Sequence, residues 1–238
     1  MPARLASPSV KAYVRKQFDW VSKNYKCDFV IEKTCANTLR IPFVEAVVPE
    51  AKYIYIERNP LDAIFSSKLR WRGSTDFLYL SKKLRFVPFA AIPALTKQFL
   101  INRTHKFFSN QNVLKTWGPR ISNMEELSKG KTLDEICATQ WLACVSSARE
   151  HIAKLDKNKS IIIRYENFVE NPKTELTKIL KFLDCKFEMA DIENSISRVH
   201  DNSVGKAQKC LNQKSKLLIN NVLLESNLAF WGENFARR

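Results

Sequence analysis

Glycine is scarce, with 5 in 238 residues. That excludes a collagen-like chain, and no internal repeat or low-complexity tract suggests a solenoid. The six cysteines, at 27, 35, 137, 144, 185 and 210, form no CxxC pair and have no histidine at zinc-ligand spacing, so a structural metal is not indicated. Nothing points to a disulfide framework, and Cys137 and Cys144, two turns apart on one expected helix, read as small buried residues suited to a reducing compartment. The start Met-Pro-Ala-Arg-Leu-Ala-Ser holds no apolar run of the secretory kind. A cytoplasmic location follows if the chain is complete. The most apolar stretch, Phe86 to Leu95, is broken by Pro88 and Pro93 and falls short of the roughly 20 residues that span a bilayer. It reads as a loop that packs on the core or covers a site.

What is present is a core and a charge. Hydrophobic residues make up 45% of the chain, with 15 phenylalanines, enough for one ordered domain over residues 1–238. The formal charge is +15, a surface that draws polyanions over about 10 Å. Nucleic acid, acidic lipid, an acidic glycan and a polyphosphorylated nucleotide all fit, and scattered lysine is equally a solvated surface, so charge alone does not choose.

Along the chain, Val10, Tyr13, Val14, Phe18 and Val21 fall at helical spacing with Lys11, Arg15, Lys16 and Lys23 on the polar side. They predict an amphipathic helix within residues 1–25. Cys27 to Ile31 reads as a short strand, Asn37 to Val48 as a helix and Tyr53 to Ile56 as a second strand. Together they form a β-α-β unit, which implies parallel neighbours and a right-handed crossover. Residues 72–130 are irregular. Thr132 and Glu135 form a capping box ahead of a long core-facing helix. Ser160 to Arg164 reads as a buried strand, Asn171-Pro172 opens another helix, and helical patterns at 188–199 and 212–226 flank a polar loop with Ser203, Gly205 and Lys206. The alternation is that of an α/β protein with a parallel sheet.

One turn concentrates chemistry. The strand ending at Glu57 runs into Arg58-Asn59-Pro60, with Asn59 a good N-cap and Pro60 pre-set for the first helical position. Asp62, Ser66 and Arg70 are spaced by four and share a face of the helix that follows. Arg58 sits at the carboxyl end of a strand, where open α/β sheets bind ligands. The helix N-terminus adds a favourable dipole and orphan N–H groups, so the turn reads as a phosphate site. The alternative is that Arg58 pairs with Asp62 while Ser66 faces water.

The segment Tyr-Ile-Tyr-Ile-Glu-Arg-Asn-Pro-Leu-Asp-Ala-Ile-Phe-Ser-Ser, residues 53–67, resembles the 3′-phosphate-binding segment of sulfotransferases, and Arg58 and Ser66 match its arginine and serine. Glu32-Lys33-Thr34-Cys35 resembles the family's Glu-Lys-Thr-Pro segment with cysteine in place of proline, and Lys33 matches a lysine near the transferred sulfuryl group. Arg164-Tyr165-Glu166-Asn167-Phe168 resembles the Arg-Tyr-Glu-Asp-Leu segment, whose tyrosine lies near the adenine. Ser203-Val204-Gly205-Lys206 resembles the late loop that closes over the phosphate. Arg70 stands where some members carry a second arginine near the nucleotide. The order of these segments covers roughly residues 27 to 211.

The resemblance implies a three-layer fold, a parallel sheet with helices on both faces, of the P-loop NTPase-like sulfotransferase kind. It also implies PAPS (3′-phosphoadenosine 5′-phosphosulfate) as co-substrate and no metal. The family's opening strand and Gly/Ser/Thr-rich loop for the 5′-phosphosulfate has no match ahead of Cys27. The expectation is therefore an N-terminally shortened domain, either a truncated sulfotransferase or a relative that binds without transfer, with no general base nominated. An edge left by a missing strand would be covered by the N-terminal helix or by a homodimer partner.

Two functions follow. One is sulfuryl transfer from PAPS to a hydroxyl or amine of an acceptor, itself hydroxylated or anionic, selected by residues 72–130 with Arg72, Lys82, Lys83 and Arg85. The other is a non-catalytic basic protein that binds nucleotide or polyanion. A P-loop kinase is disfavoured, since its Gly-x4-Gly-Lys-Ser/Thr motif is absent.

Overall fold

Two runs of β-branched and aromatic residues with few helix formers make the sheet: β1 (Tyr53–Glu57) and β2 (Ser160–Arg164). They pair in parallel, Tyr53 opposite Ser160 through Glu57 opposite Arg164. The computed structural model describes residues 1–73 and 117–224, with isolated positions at 93, 96, 101, 104 and 114. Much of the irregular 72–130 region, including the Phe86 to Leu95 stretch apart from Pro93, lies outside the described residues. The helices are α1 (Pro8–Tyr25), α2 (Ile41–Val47), α3 (Pro60–Trp71), α4 (Met124–Ser128), α5 (Leu133–Ile152), α6 (Tyr165–Glu170), α7 (Pro172–Phe182), α8 (Met189–Ile196), α9 (Lys206–Cys210) and α10 (Gln213–Leu224).

The expected strand at Cys27 to Ile31 does not form. Residues 28–34 carry no helix or strand, and Phe29 and Ile31 are 53% and 77% exposed. With no packing surface to reward extension, their β propensity is not enough. β1 pairs instead with a strand beyond α5, so the predicted β-α-β unit is replaced by a parallel pair with a far longer connection. The helix expected over 37–48 also splits. A 3-10 turn over Cys35–Leu39 precedes α2, whose second residue is Pro42, a residue that belongs in the first turn of a new helix.

Local signals read correctly elsewhere. Asn59 accepts from the N–H groups of Leu61 and Asp62 and caps α3. Thr132 and Glu135 make the reciprocal capping box of α5: the Glu135 N–H donates to Thr132 Oγ1 at 3.4 Å, and the Thr132 N–H to Glu135 Oε2 at 2.8 Å. The Thr132 hydroxyl, 2.6 Å from Glu135 Oε2, and then the Thr132 N–H hold the Glu135 carboxyl below its ordinary range.

The main apolar core joins α3, α5, α9 and α10 through Ile64, Trp71, Leu133, Cys137, Ala138, Ala207, Leu211 and Ile219. Ile64, Cys137 and Ile219 are fully buried, each isoleucine contributing about 1.5–3 kcal/mol by leaving water. Burial pushes the Cys137 thiol up to about 12, the inert state expected of a core cysteine. A smaller cluster places Tyr55 of β1 against Ile41 of α2 and Ala148 and Ile152 of α5, which fixes one sheet face on those helices. Ile56 and Ile162 remain about half exposed, at 54% and 52%. Gln140 of α5 is 4% exposed and donates to the carbonyls of Trp117 and Pro119 at 3.0 and 2.7 Å. Gly118, at φ +79°, sits so close that a Cβ would come within 2.9 Å of the Gln140 amide, so only glycine fits this turn.

An ion pair is built into the same core. Lys68 of α3 donates to Asp134 Oδ1 at 2.6 Å, and the side chains are only 13% and 10% exposed. Ser215 of α10 donates to Asp134 Oδ2 at 2.8 Å, so one carboxylate ties three helices. Asp134→Ala leaves a buried ammonium without its counter-ion, and urea unfolding should show a loss of about 3–5 kcal/mol. Replacing Lys68 and Asp134 together by Met and Leu should recover most of it. A single-variant loss below about 1 kcal/mol would show that the pair is not effectively buried.

Candidate functional site

Because β1 and β2 are parallel and in register, their carboxyl ends place Arg58 and Tyr165 side by side. The Arg58 guanidinium lies 4.7 Å from the Tyr165 ring centroid, a stacked cation–π contact. Its Nη2 donates to the Ser203 carbonyl at 2.7 Å. The Tyr165 hydroxyl and Ser203 Oγ are 2.6 Å apart. Arg58, Tyr165 and Ser203, expected from three separate sequence segments, therefore meet. Arg58 Nε is buried with no hydrogen-bond partner, an unmet donor of the kind an anion oxygen satisfies.

Asp62 does not pair with Arg58. It is 3% exposed, and its two oxygens accept from the backbone N–H groups of Gly205 and Ala207, each at 2.7 Å. A carboxylate on α3 thus caps α9 and pins the late loop beside Arg58. Gly205 makes this possible by adopting φ +69°, a conformation L side chains resist. The first-turn N–H groups of α3 are spent as well, since Leu61 and Asp62 donate to Asn59 Oδ1 at 3.0 and 3.3 Å. The predicted orphan donors are consequently engaged, and α3 contributes its dipole rather than free N–H groups.

Glu166 is a further organising residue. Its Oε1 accepts from the Asn59 N–H at 2.8 Å, bracing the Arg58-Asn59 turn, while its Oε2 is buried and unpartnered. On the far side of β1, Glu57 is 8% exposed and accepts from Arg149 Nε at 2.8 Å and Nη2 at 3.1 Å. Neither role has a sequence signal beyond the presence of acidic residues near strand ends.

Ser66 and Arg70 are exposed on α3 beyond Asp62, and Lys206 is exposed at the start of α9. Lys33 is exposed as well, with Nζ 3.9 Å from Cys35 Sγ. Among the described residues, no hydrogen bond or ion pair joins these four to the Arg58, Tyr165 and Ser203 cluster. His200 is exposed, its Nδ1 2.9 Å from the Arg198 carbonyl oxygen. Among the described residues no group of three His, Cys, Asp or Glu is placed to hold a metal, and no helix is long and apolar enough to cross a membrane.

A family model for the sulfotransferase domain matches residues 41–221, a span that contains both strands, α3 and the late loop. The chain belongs to the sulfotransferase family. Among solved structures it is similar to the "Sulfotransferase Domain from the Curacin Biosynthetic Pathway", at 13% identity and a TM-score of 0.51, over 89% of this chain and 67% of that one. At that identity the likeness speaks for the fold alone: a mixed α/β chain, mostly helical, around a parallel sheet. No curated protein matches the sequence. Lys33 and α1 lie ahead of the sulfotransferase span.

Within this sulfotransferase domain the Asp62 clamp makes a direct prediction. Asp62→Ala leaves two inward-pointing N–H groups unmet at about 1–3 kcal/mol each, so the midpoint of denaturant unfolding should fall and limited proteolysis should cut near residues 201–206 faster. An unchanged proteolytic pattern would mean that the loop does not depend on the carboxylate.

Proposed function

We propose that this sulfotransferase-family chain binds PAPS, or its product adenosine 3′,5′-bisphosphate, at the Arg58 turn, and that sulfuryl transfer to a hydroxyl or amine is its reaction. The carrying observation is Arg58: a guanidinium stacked on Tyr165, anchored by one nitrogen to the Ser203 carbonyl, with a second nitrogen buried and unmet. A group so fixed is pre-organised to meet a phosphate oxygen at little entropic cost. In this reading Arg58 and Ser66 hold the 3′-phosphate and Arg70 adds charge from the next turn. Tyr165 offers ring surface to the adenine end, and Ser203, Gly205 and Lys206 close the loop over the phosphate. Lys33 serves the transferred group.

PAPS brings an activated sulfuryl group on a phosphate leaving group. What the chain adds is position and charge. Asp62 and Glu166 act indirectly, the first by holding the late loop and the second by bracing the turn that carries Arg58. Residues 1–238 are read as one domain, with an N-terminal helix in 1–25 and an acceptor-facing region at 72–130.

The formal charge of +15 favours a second reading, a basic protein that holds polyanions without transfer. Calorimetric titration of adenosine 3′,5′-bisphosphate separates the two. Wild type should bind, and Arg58→Ala should bind about 10- to 100-fold more weakly, as expected for a lost charge-assisted bond. Absence of binding by wild type overturns the nucleotide site. Steeply salt-dependent binding of heparin or RNA, unaffected by Arg58→Ala and without transfer from radiolabelled PAPS, establishes the second reading.

A further inference from the structure

Helix α1 has two unlike faces. At 3.6 residues per turn, Val10, Val14, Phe18 and Val21 form a stripe, and these are its half-buried residues together with Lys11 and Ser22. α1 packs against α2. Arg15 fastens it, donating from Nη2 and Nη1 to the two Glu50 carboxylate oxygens at 2.6 and 3.1 Å and from Nη1 to the Val47 carbonyl at 3.3 Å. The docked stripe and this clamp fix which side of the helix faces outward.

The outward side is neither bland nor uniformly polar. Tyr13 and Trp20 are 63% and 57% exposed, and Lys16 and Lys23 are exposed beside them. The four residues share an arc of about 80°, in the order Tyr, Lys, Trp, Lys along the helix. No acidic side chain falls within that arc; Asp19, the helix's one acidic residue, lies outside it. Exposed aromatics continue at Tyr25, the last residue of the helix, and at Phe29 beyond it, 56% and 53% exposed. A lone exposed aromatic is ordinary. Two large amphipathic rings two turns apart, alternating with ammonium groups on a helix held in place by its other face, form a surface with a definite chemistry.

We infer that the Tyr13, Lys16, Trp20 and Lys23 face of α1 docks on an anionic lipid surface. Tyr and Trp place an apolar ring body among headgroups while the hydroxyl or indole N–H stays hydrated. Lysines reach the lipid phosphates and carboxylates from the same arc, each contributing on the order of 1 kcal/mol near such a surface. The chain's positive charge supplies long-range attraction. A lipid plane fits better than a folded partner, because the arc is a single narrow helix face on which amphipathic rings alternate with ammonium groups. The inference stands apart from the nucleotide reading and uses none of its residues.

The test is co-sedimentation of the full chain with vesicles of phosphatidylcholine alone and with phosphatidylserine added. Wild type should bind the anionic vesicles and release from them at high salt. Replacing Lys16 and Lys23 by Gln should weaken binding on the order of tenfold or more, and Tyr13→Ser with Trp20→Ser should weaken it in lipid of any charge. All four positions are exposed, so circular dichroism should show the variants folded as wild type. Three results would overturn the inference: equal binding to neutral and anionic vesicles, anionic binding that survives both pairs of substitutions, or no vesicle binding together with self-association or RNA binding abolished by the same substitutions.

Discussion

A single buried carboxylate holds the site region together. Asp62 sits on α3, one turn past the end of β1, and takes the N–H groups of two residues 143 and 145 positions away. Without it, the half-buried Gly205 N–H and the buried Ala207 N–H would lose their acceptor, and the loop bearing Ser203 would have no fixed height above the strand ends. Arg58 depends on that height, because the carbonyl it grips belongs to this loop. A charge kept far from water by two backbone donors is costly to disturb, so the loop has one position rather than many.

The pairing of β1 with β2 is the second constraint, and it works with the first. In-register parallel strands bring their carboxyl ends level, which sets the Arg58 guanidinium on the Tyr165 ring rather than a residue away from it. Glu166 then closes the arrangement by taking the Asn59 N–H. Three chain segments are thereby cross-braced through backbone groups, and the Arg58 side chain keeps a donor to spare.

Local chemistry was legible in the sequence, and long-range partnership was not. Asn59-Pro60 and the Thr132 and Glu135 box announce helix starts through side-chain oxygens that reach only three residues, so the sequence contains both halves of each interaction. β1 and β2 are readable as apolar runs, but nothing in either run names its partner, so the Cys27 to Ile31 run reads as a neighbour of β1 although β2 takes that place. Their spacing by four puts Asp62, Ser66 and Arg70 on one polar face of the helix. Helical spacing placed Asp62 on that face correctly, but could not say that the late loop would fold down on the first of the three and leave the other two in water. Glu166 and Glu57 illustrate the same limit, since an acidic residue near a strand end looks identical whether it is solvated or bracing a turn.

The span between the paired strands has a consequence for how the molecule comes into being. Asn59 and Glu166, at the ends of β1 and β2, are 107 residues apart. Closing a flexible loop of that size carries a length-dependent entropy of about 4 kcal/mol, so the sheet forms late, after the helices have gathered locally. On the ribosome, at about 5–20 residues per second, β1 emerges roughly 5–20 seconds before the strand it must meet. Its Ile54 and Ile56 pass that interval as an unpaired apolar edge, the stage of the molecule's history most open to capture by another chain.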